Sequence, residues 1–216
     1  MSDSAYHLVS YGVDRAGAVE AVERLLRLNA TPERVLVELE CETTSHALDW
    51  WLSAATVGWT TMEFLLPAAL AVEVEWLLVA DGRPRSGVVG PEGVHLWVEP
   101  TDTAALDKLA DEAPVPVRVY VGDLPAAEFS WDLIPPEPAR TLVHWDDCRW
   151  PAGAADSGES KHAGVAVAFN ASTLWELDPG STGYRVYVET RSGDVDLARR
   201  LAAAVDLSVV GEPEYL

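Results

Sequence analysis

Strict alternation of apolar and polar residues marks positions 35–42, where Val35, Val37, Leu39 and Cys41 take one parity and Glu38, Glu40 and Glu42 the other. Successive side chains of a strand point to opposite faces, so the segment predicts a strand with one face in the core and a row of carboxylates on the other. The same parity makes Cys41 a buried thiol rather than a reactive one. Short apolar runs bounded by turn residues predict further strands at 7–13, 73–80, 93–98, 115–121, 140–145, 164–169, 173–177, 184–190 and 207–210. The glycine-rich stretch 81–93 lies between two of these runs and reads as the turn of a hairpin.

Spacing by three and four replaces alternation elsewhere. Ala18, Val19, Val22, Leu25, Leu26 and Leu28 form one apolar stripe, with Asp14 placed to cap it and Asn29 and Pro32 to end it. Glu20 with Arg24 and Glu23 with Arg27 stand four apart on its wet face, an orientation that supports a helix. A helix capped by Thr101 carries Ala105, Leu106, Leu109 and Ala110, and another covers 194–205. The longest such pattern runs from Ser45 through Leu48, Leu52, Ala55, Trp59, Met62 and Leu66, and predicts a largely buried helix over 45–66.

The fold class that follows is α/β (α+β): a mixed β-sheet with helices packed on it, built from strand–helix–strand units. A repeat is visible at the level of pattern. His95-Leu-Trp-Val-Glu, a helix and Val117-Arg-Val-Tyr-Val resemble Tyr184-Arg-Val-Tyr-Val-Glu, a helix and Leu207-Ser-Val-Val. Residues 1–125 read as an N-terminal lobe and 163–216 as a C-terminal lobe, together one compact globule. The segment 126–162 between them, rich in Pro and Trp, reads as an irregular crossing that ends in a mobile Gly/Ser loop.

Composition narrows the class of protein. At 216 residues the chain is long enough to bury a core without disulfides or metal, and 49% hydrophobic residues exclude an extended disordered chain. Two cysteines far apart, Cys41 and Cys148, and an N-terminus without a basic, then apolar, leader point to reduced thiols in a cytoplasm. The apolar stretch 50–72 is diluted by Ser53, Thr56, Gly58, Thr60, Thr61 and Pro67 and lacks basic flanks, so no membrane span is expected. The charge changes the picture most. Thirty-five acids against fifteen bases leave a net charge of −20, which repels nucleic acid and anionic membranes and favours a basic protein partner. Acidity also serves solubility and salt tolerance with no partner at all.

Candidate chemistry is sparse. His144-Trp-Asp-Asp-Cys-Arg-Trp150 gathers an imidazole, two carboxylates and a thiol, and on a strand His144, Asp146 and Cys148 share one parity. Three ligands fall short of a closed zinc site, which takes four, so no metal and no cofactor is expected. The loops Gly87–Gly93 and Asp178–Gly183 join predicted strands and carry no following lysine, which makes them turns rather than phosphate cradles. Ser160-Lys161-His162 sits in the Gly/Ser loop and reads as solvated, because neighbours in sequence rarely face one another.

What remains is the acidic strand faces, Glu38, Glu40 and Glu42 on one strand and Glu73 and Glu75 on another, with Trp131, Trp145 and Trp150 as the tryptophans expected nearest the surface. These residues suit a non-enzymatic acidic protein that covers a basic partner surface, as an immunity protein or antitoxin-like inhibitor does. Two other readings stand beside it. One is a small-molecule-binding or enzymatic α/β protein with its pocket near 123–162, and the other is a structural homo-oligomer subunit.

Overall fold

The structure, a computed structural model, describes residues 4–28, 32–42, 59–66, 79–80, 83–84, 87–90, 93–98, 116–134, 140–150, 162–174, 182–191 and 194–215. The elements in chain order are β1 (Ser4–Gly12), α1 (Arg15–Leu26), β2 (Arg34–Glu42), β3 (Trp59–Leu66), β4 (Val79–Ala80), β5 (Arg83–Pro84), β6 (Gly87–Gly90), β7 (Gly93–Val98), β8 (Pro116–Pro125), β9 (Arg140–Asp146), β10 (Gly164–Phe169), β11 (Tyr184–Arg191), α2 (Val195–Ala203) and β12 (Glu214–Tyr215). Single turns of 3-10 helix at Ala126–Glu128 and Trp131–Leu133 lie between β8 and β9. The protein is thus a mixture of antiparallel sheet and helix.

The chain divides into two compact units, one of residues 1–37, 123–129 and 140–216, the other of 38–122 and 130–139. In the first unit the strands run in the order β12-β1-β11-β10-β9, each pair antiparallel, with the start of β2 next to β9. In the second, the end of β2 is followed by β8, β3, β7 and β6, and β3 runs antiparallel to both β7 and β8. One strand plan therefore occurs twice. An early strand, β1 or β3, is flanked by the second strand of a hairpin, β11 or β7, and on its other side by the strand that comes last, β12 or β8.

Local chemistry accounts for the helices of the first unit. Asp14 accepts from Ala16 N at the start of α1, and Asp194 accepts from Leu197 N at the start of α2, so each helix begins on a side-chain cap. Ala18, Ala21, Val22 and Leu25 of α1 and Leu197, Ala198, Leu201 and Ala202 of α2 are buried. Both helices cover the sheet face that carries Val165, Val167 and Phe169. Arg15 of α1 stacks over the Phe169 ring at 6.0 Å, while Asp194 and Arg199 of α2 act on His7, whose partner in register is Val188. The opposite face carries Tyr6, Leu142, Ala166, Ala168 and Tyr187, which pack with Ala171 and Leu174.

Several expectations need correction. Residues 59–66 form β3 rather than the end of a long helix. Their spacing satisfies both templates, but Trp, Thr and Phe favour the pleated backbone and strands pair with β3 on both sides. Positions 45–58, residues 73–78 of the strand expected at 73–80, the helix expected after Thr101 and the loop 153–161 lie outside the described residues. The hairpin partner of β7 is β6, inside the stretch read as a turn, with Gly90 and Gly93 as the closing pair. Thr173 and Leu174 form no strand, and neither do residues 207–210; the last strand is β12. Arg24 bonds Asp206 at 3.1 Å and the Val205 carbonyl instead of Glu20, whereas the Arg27–Glu23 pair forms as expected at 2.7 Å.

Candidate functional site

The face of the first unit turned away from α1 and α2 holds a buried polar cluster whose members come from β1, β9 and β11. In register, Tyr6 stands opposite Glu189, Glu189 opposite Gly164, and His144 opposite Ala166. His144 and Glu189 are thus two strands apart, a separation of roughly 10 Å at the backbone. Their side chains nevertheless meet, Nε2 to Oε2, at 3.0 Å. They do so across Gly164, where a Cβ would lie 2.7 Å from each of those atoms and 2.9 Å from the Trp145 carbonyl oxygen. A bare α-carbon on the middle strand is what lets the pair close.

Further polar contacts extend the pair in both directions. On one side His144 Nδ1 lies 3.1 Å from Asp146 Oδ1. On the other, the Ser4 hydroxyl donates to Glu189 Oε1 at 2.5 Å, and Ser4 Oγ lies 2.7 Å from His162 Nδ1. A serine has one proton to give, so with that proton on Glu189 the His162 Nδ1–H donates to Ser4. The Tyr6 ring stands edge-on to His144 at 5.7 Å. Glu189 is 5% exposed and His144 8%, while the Asp146 side chain is 46% exposed and opens the cluster to solvent. The backbone is left-handed at Asp147 (φ 55°) and His162 (φ 71°), a conformation that Asp and His adopt more readily than most residues other than glycine.

Burial alone would neutralise these groups, and their mutual contacts decide otherwise. Burial pulls the pKa of His144 down, but the Glu189 hydrogen bond and the charges of Asp146 and Glu189 outweigh it, so the imidazole is held protonated above its ordinary value. Burial pushes Glu189 up, and His144, Ser4 and His162 bring it below its ordinary range. Asp146 is raised, chiefly by burial and against the attraction of His144. Burial and the Glu189 charge also lift the Tyr6 phenol. His7, on the helix-covered face, behaves in the opposite way. Burial and Arg199 lower its pKa, and its Nε2 bonds Thr190 at 3.0 Å.

Spacing in sequence placed His144 beside Asp146 and the structure keeps them together, but Cys148 is elsewhere. Its thiol is buried, donates to the Trp145 carbonyl at 3.5 Å and is pushed up to about 12 by burial and by Asp146. Glu189 takes the place expected for it. Nothing in the run 144–150 points to Glu189, Ser4 or His162, because pairing of distant strands brings them in. His162, read from sequence as solvated, lies half-buried against Ser4.

The acidic face of β2 is also not as expected. In the second unit Arg118 from β8 bonds Glu38 at 3.3 Å and pairs with Glu40 as well, while its Nη1 donates to the Tyr120 hydroxyl at 3.1 Å. Burial works against the charged guanidinium, and Tyr120, Glu40 and Glu38 together raise its pKa regardless. Glu40 is 9% exposed, so it faces Arg118 and not solvent. Of the tryptophans expected nearest the surface, Trp145 is buried at 3% exposure with its ring edge-on to Phe129, whereas Trp131 and Trp150 are half-buried. The side chains of Glu42, Glu73 and Glu75 lie outside the described residues.

No protein-family model, curated protein or solved structure matches the chain. Among the described residues, no helix is long and apolar enough to cross a membrane.

Proposed function

We propose that the chain is a non-enzymatic acidic binding protein that covers a basic surface on a partner protein in the cytoplasm, in the manner of an immunity protein or antitoxin. The charge count carries this reading. Thirty-five acids face fifteen bases, so twenty carboxylates remain even if every base pairs with one acid (35 − 15 = 20). Arg24, Arg27, Arg118, Arg149 and Arg199 are already engaged by carboxylates of the chain itself, which leaves the excess acid to define the outer field. Glu38 and Glu40 serve Arg118, so within the second unit the contact would centre on Glu42, Glu73 and Glu75, with Trp131 as its apolar element. Strand–helix–strand units would be the rigid scaffold that presents it.

The test is recovery of a basic partner from the native cell, followed by association kinetics with that partner. Raising salt from about 0.1 M to about 1 M cuts the Debye length from about 10 Å to about 3 Å and should slow association steeply. Reversing Glu42 and Glu73 to Lys should slow association about tenfold and change dissociation less, because charges at the edge of an interface act on encounter. A partner indifferent to both changes, or turnover of a substrate by the isolated chain, overturns the reading.

A further inference from the structure

We propose that His144, Asp146 and Glu189 form a three-ligand site with an open fourth position for one divalent cation of the zinc type, with Ser4 and His162 as the next donors in reach. The donor set is an imidazole and carboxylates, which suits zinc and its neighbours better than the all-oxygen shell of calcium. One donor atom from each of His144, Asp146 and Glu189 lies within 4.8 Å of the others. The 3.0 Å between His144 Nε2 and Glu189 Oε2 is close to the roughly 3.3 Å that separates two ligands held at about 2.0 Å on a tetrahedral zinc ion.

Charge supplies the driving force. Asp146 and Glu189 place two carboxyl groups in a largely buried site, where a dication is the natural counter-charge. The exposed Asp146 side chain provides the way in. Arg118 offers no parallel among its own carboxylates, because a guanidinium keeps its protons and has no lone pair to give a metal.

The test uses the full chain stripped by chelator and titrated with Zn2+ by calorimetry in two buffers of different ionisation enthalpy, then with Co2+ in the spectrometer. We expect one saturable equivalent per chain, proton release on binding, and Co2+ bands of a low-coordinate N/O site. His144→Gln, Asp146→Asn and Glu189→Gln should each weaken binding about 100-fold or more, beyond the roughly 10- to 100-fold of a lost outer partner. Glu23→Gln, on the exposed side of α1, should leave it unchanged. Should the cluster variants fail to fold, the proton release and Co2+ spectrum of the wild type still decide. Absence of saturable binding overturns the proposal. So do several weak equivalents that salt strips away and His144→Gln leaves intact, since those are the acidic surface as a whole.

Discussion

The two units of this protein share a strand plan and solve the same electrostatic problem with different bases. Each carries two carboxylates close together on a sheet. In the second unit Arg118 reaches from β8 to both Glu38 and Glu40 and is steadied by Tyr120, with which it also makes a cation–π contact at 6.0 Å. In the first, His144 sits between Asp146 and Glu189 and needs Gly164 to do so. Arginine is charged at any pH a protein survives and can only hold its carboxylates in place. Histidine can yield the proton and use the freed lone pair for something else. The arginine cluster is therefore a structural fastening, and the histidine cluster is where exchange chemistry is possible.

The sharpest way to break the comparison is Gly164→Val. Its Cβ must displace His144 and Glu189 or push against the Trp145 carbonyl, and the buried ion pair opens as a result. A loss of about 3 kcal/mol is expected from overpacking with unpaired charge, measured by urea unfolding. Unchanged stability would mean that the pair does not depend on the glycine. Arg118→Met attacks the other cluster. Breaking a fully buried pair costs about 3–5 kcal/mol, but the Arg118 side chain is 37% exposed and screened, so about 2 kcal/mol is expected. Adding Glu40→Gln to Arg118→Met should restore part of it, because the orphaned charge is then gone. If the double variant is as unstable as the single, packing of the arginine stem matters more than its charge.

Smaller effects sharpen the contrast further. Asp14→Ala removes the acceptor for Ala16 N at the start of α1 and should cost about 1 kcal/mol, with the histidine cluster untouched because α1 lies on the other face. NMR of the His144 ring in that variant would show whether the two faces act independently. Cys148 gives the smallest effect of all. Its thiol titrates at about 12 and so carries almost no thiolate at neutral pH, and alkylation of the native protein should stay undetectable across pH 7–9, then become fast on unfolding. Rapid native labelling of Cys148 would show that the first unit opens at this strand end.

Legibility followed the range of the interactions. The elements of the first unit set by local signals were readable: Asp14 as a cap, the apolar stripe of α1, a helix beginning at 194, the Arg27–Glu23 pair and the core strands at 140–145, 164–169 and 184–190. The alternation of Val35, Val37 and Leu39 into the core was equally plain, since all three are fully buried. Reading failed where two templates fit one stretch, as at 59–66, or where a short strand hid among glycines, as at 87–90. Half of the candidate site was visible, because His144 and Asp146 are two residues apart on one strand. The other half was not. Glu189, Ser4, His162 and Gly164 reach the cluster through pairing of β1, β10 and β11, at sequence separations up to 185 residues.

The division has a physical basis. By itself the sequence determined what depends on near neighbours and totals: capped amphipathic helices, alternating strands, and a chain whose acids outnumber its bases by twenty. Only the tertiary structure decided which carboxylates are spent. Whether Glu40 faces solvent or Arg118, and whether Cys148 or Glu189 joins His144, depends on which distant strand lies alongside and in what register. One step of register turns every side chain to the other face, and no local pattern encodes that choice.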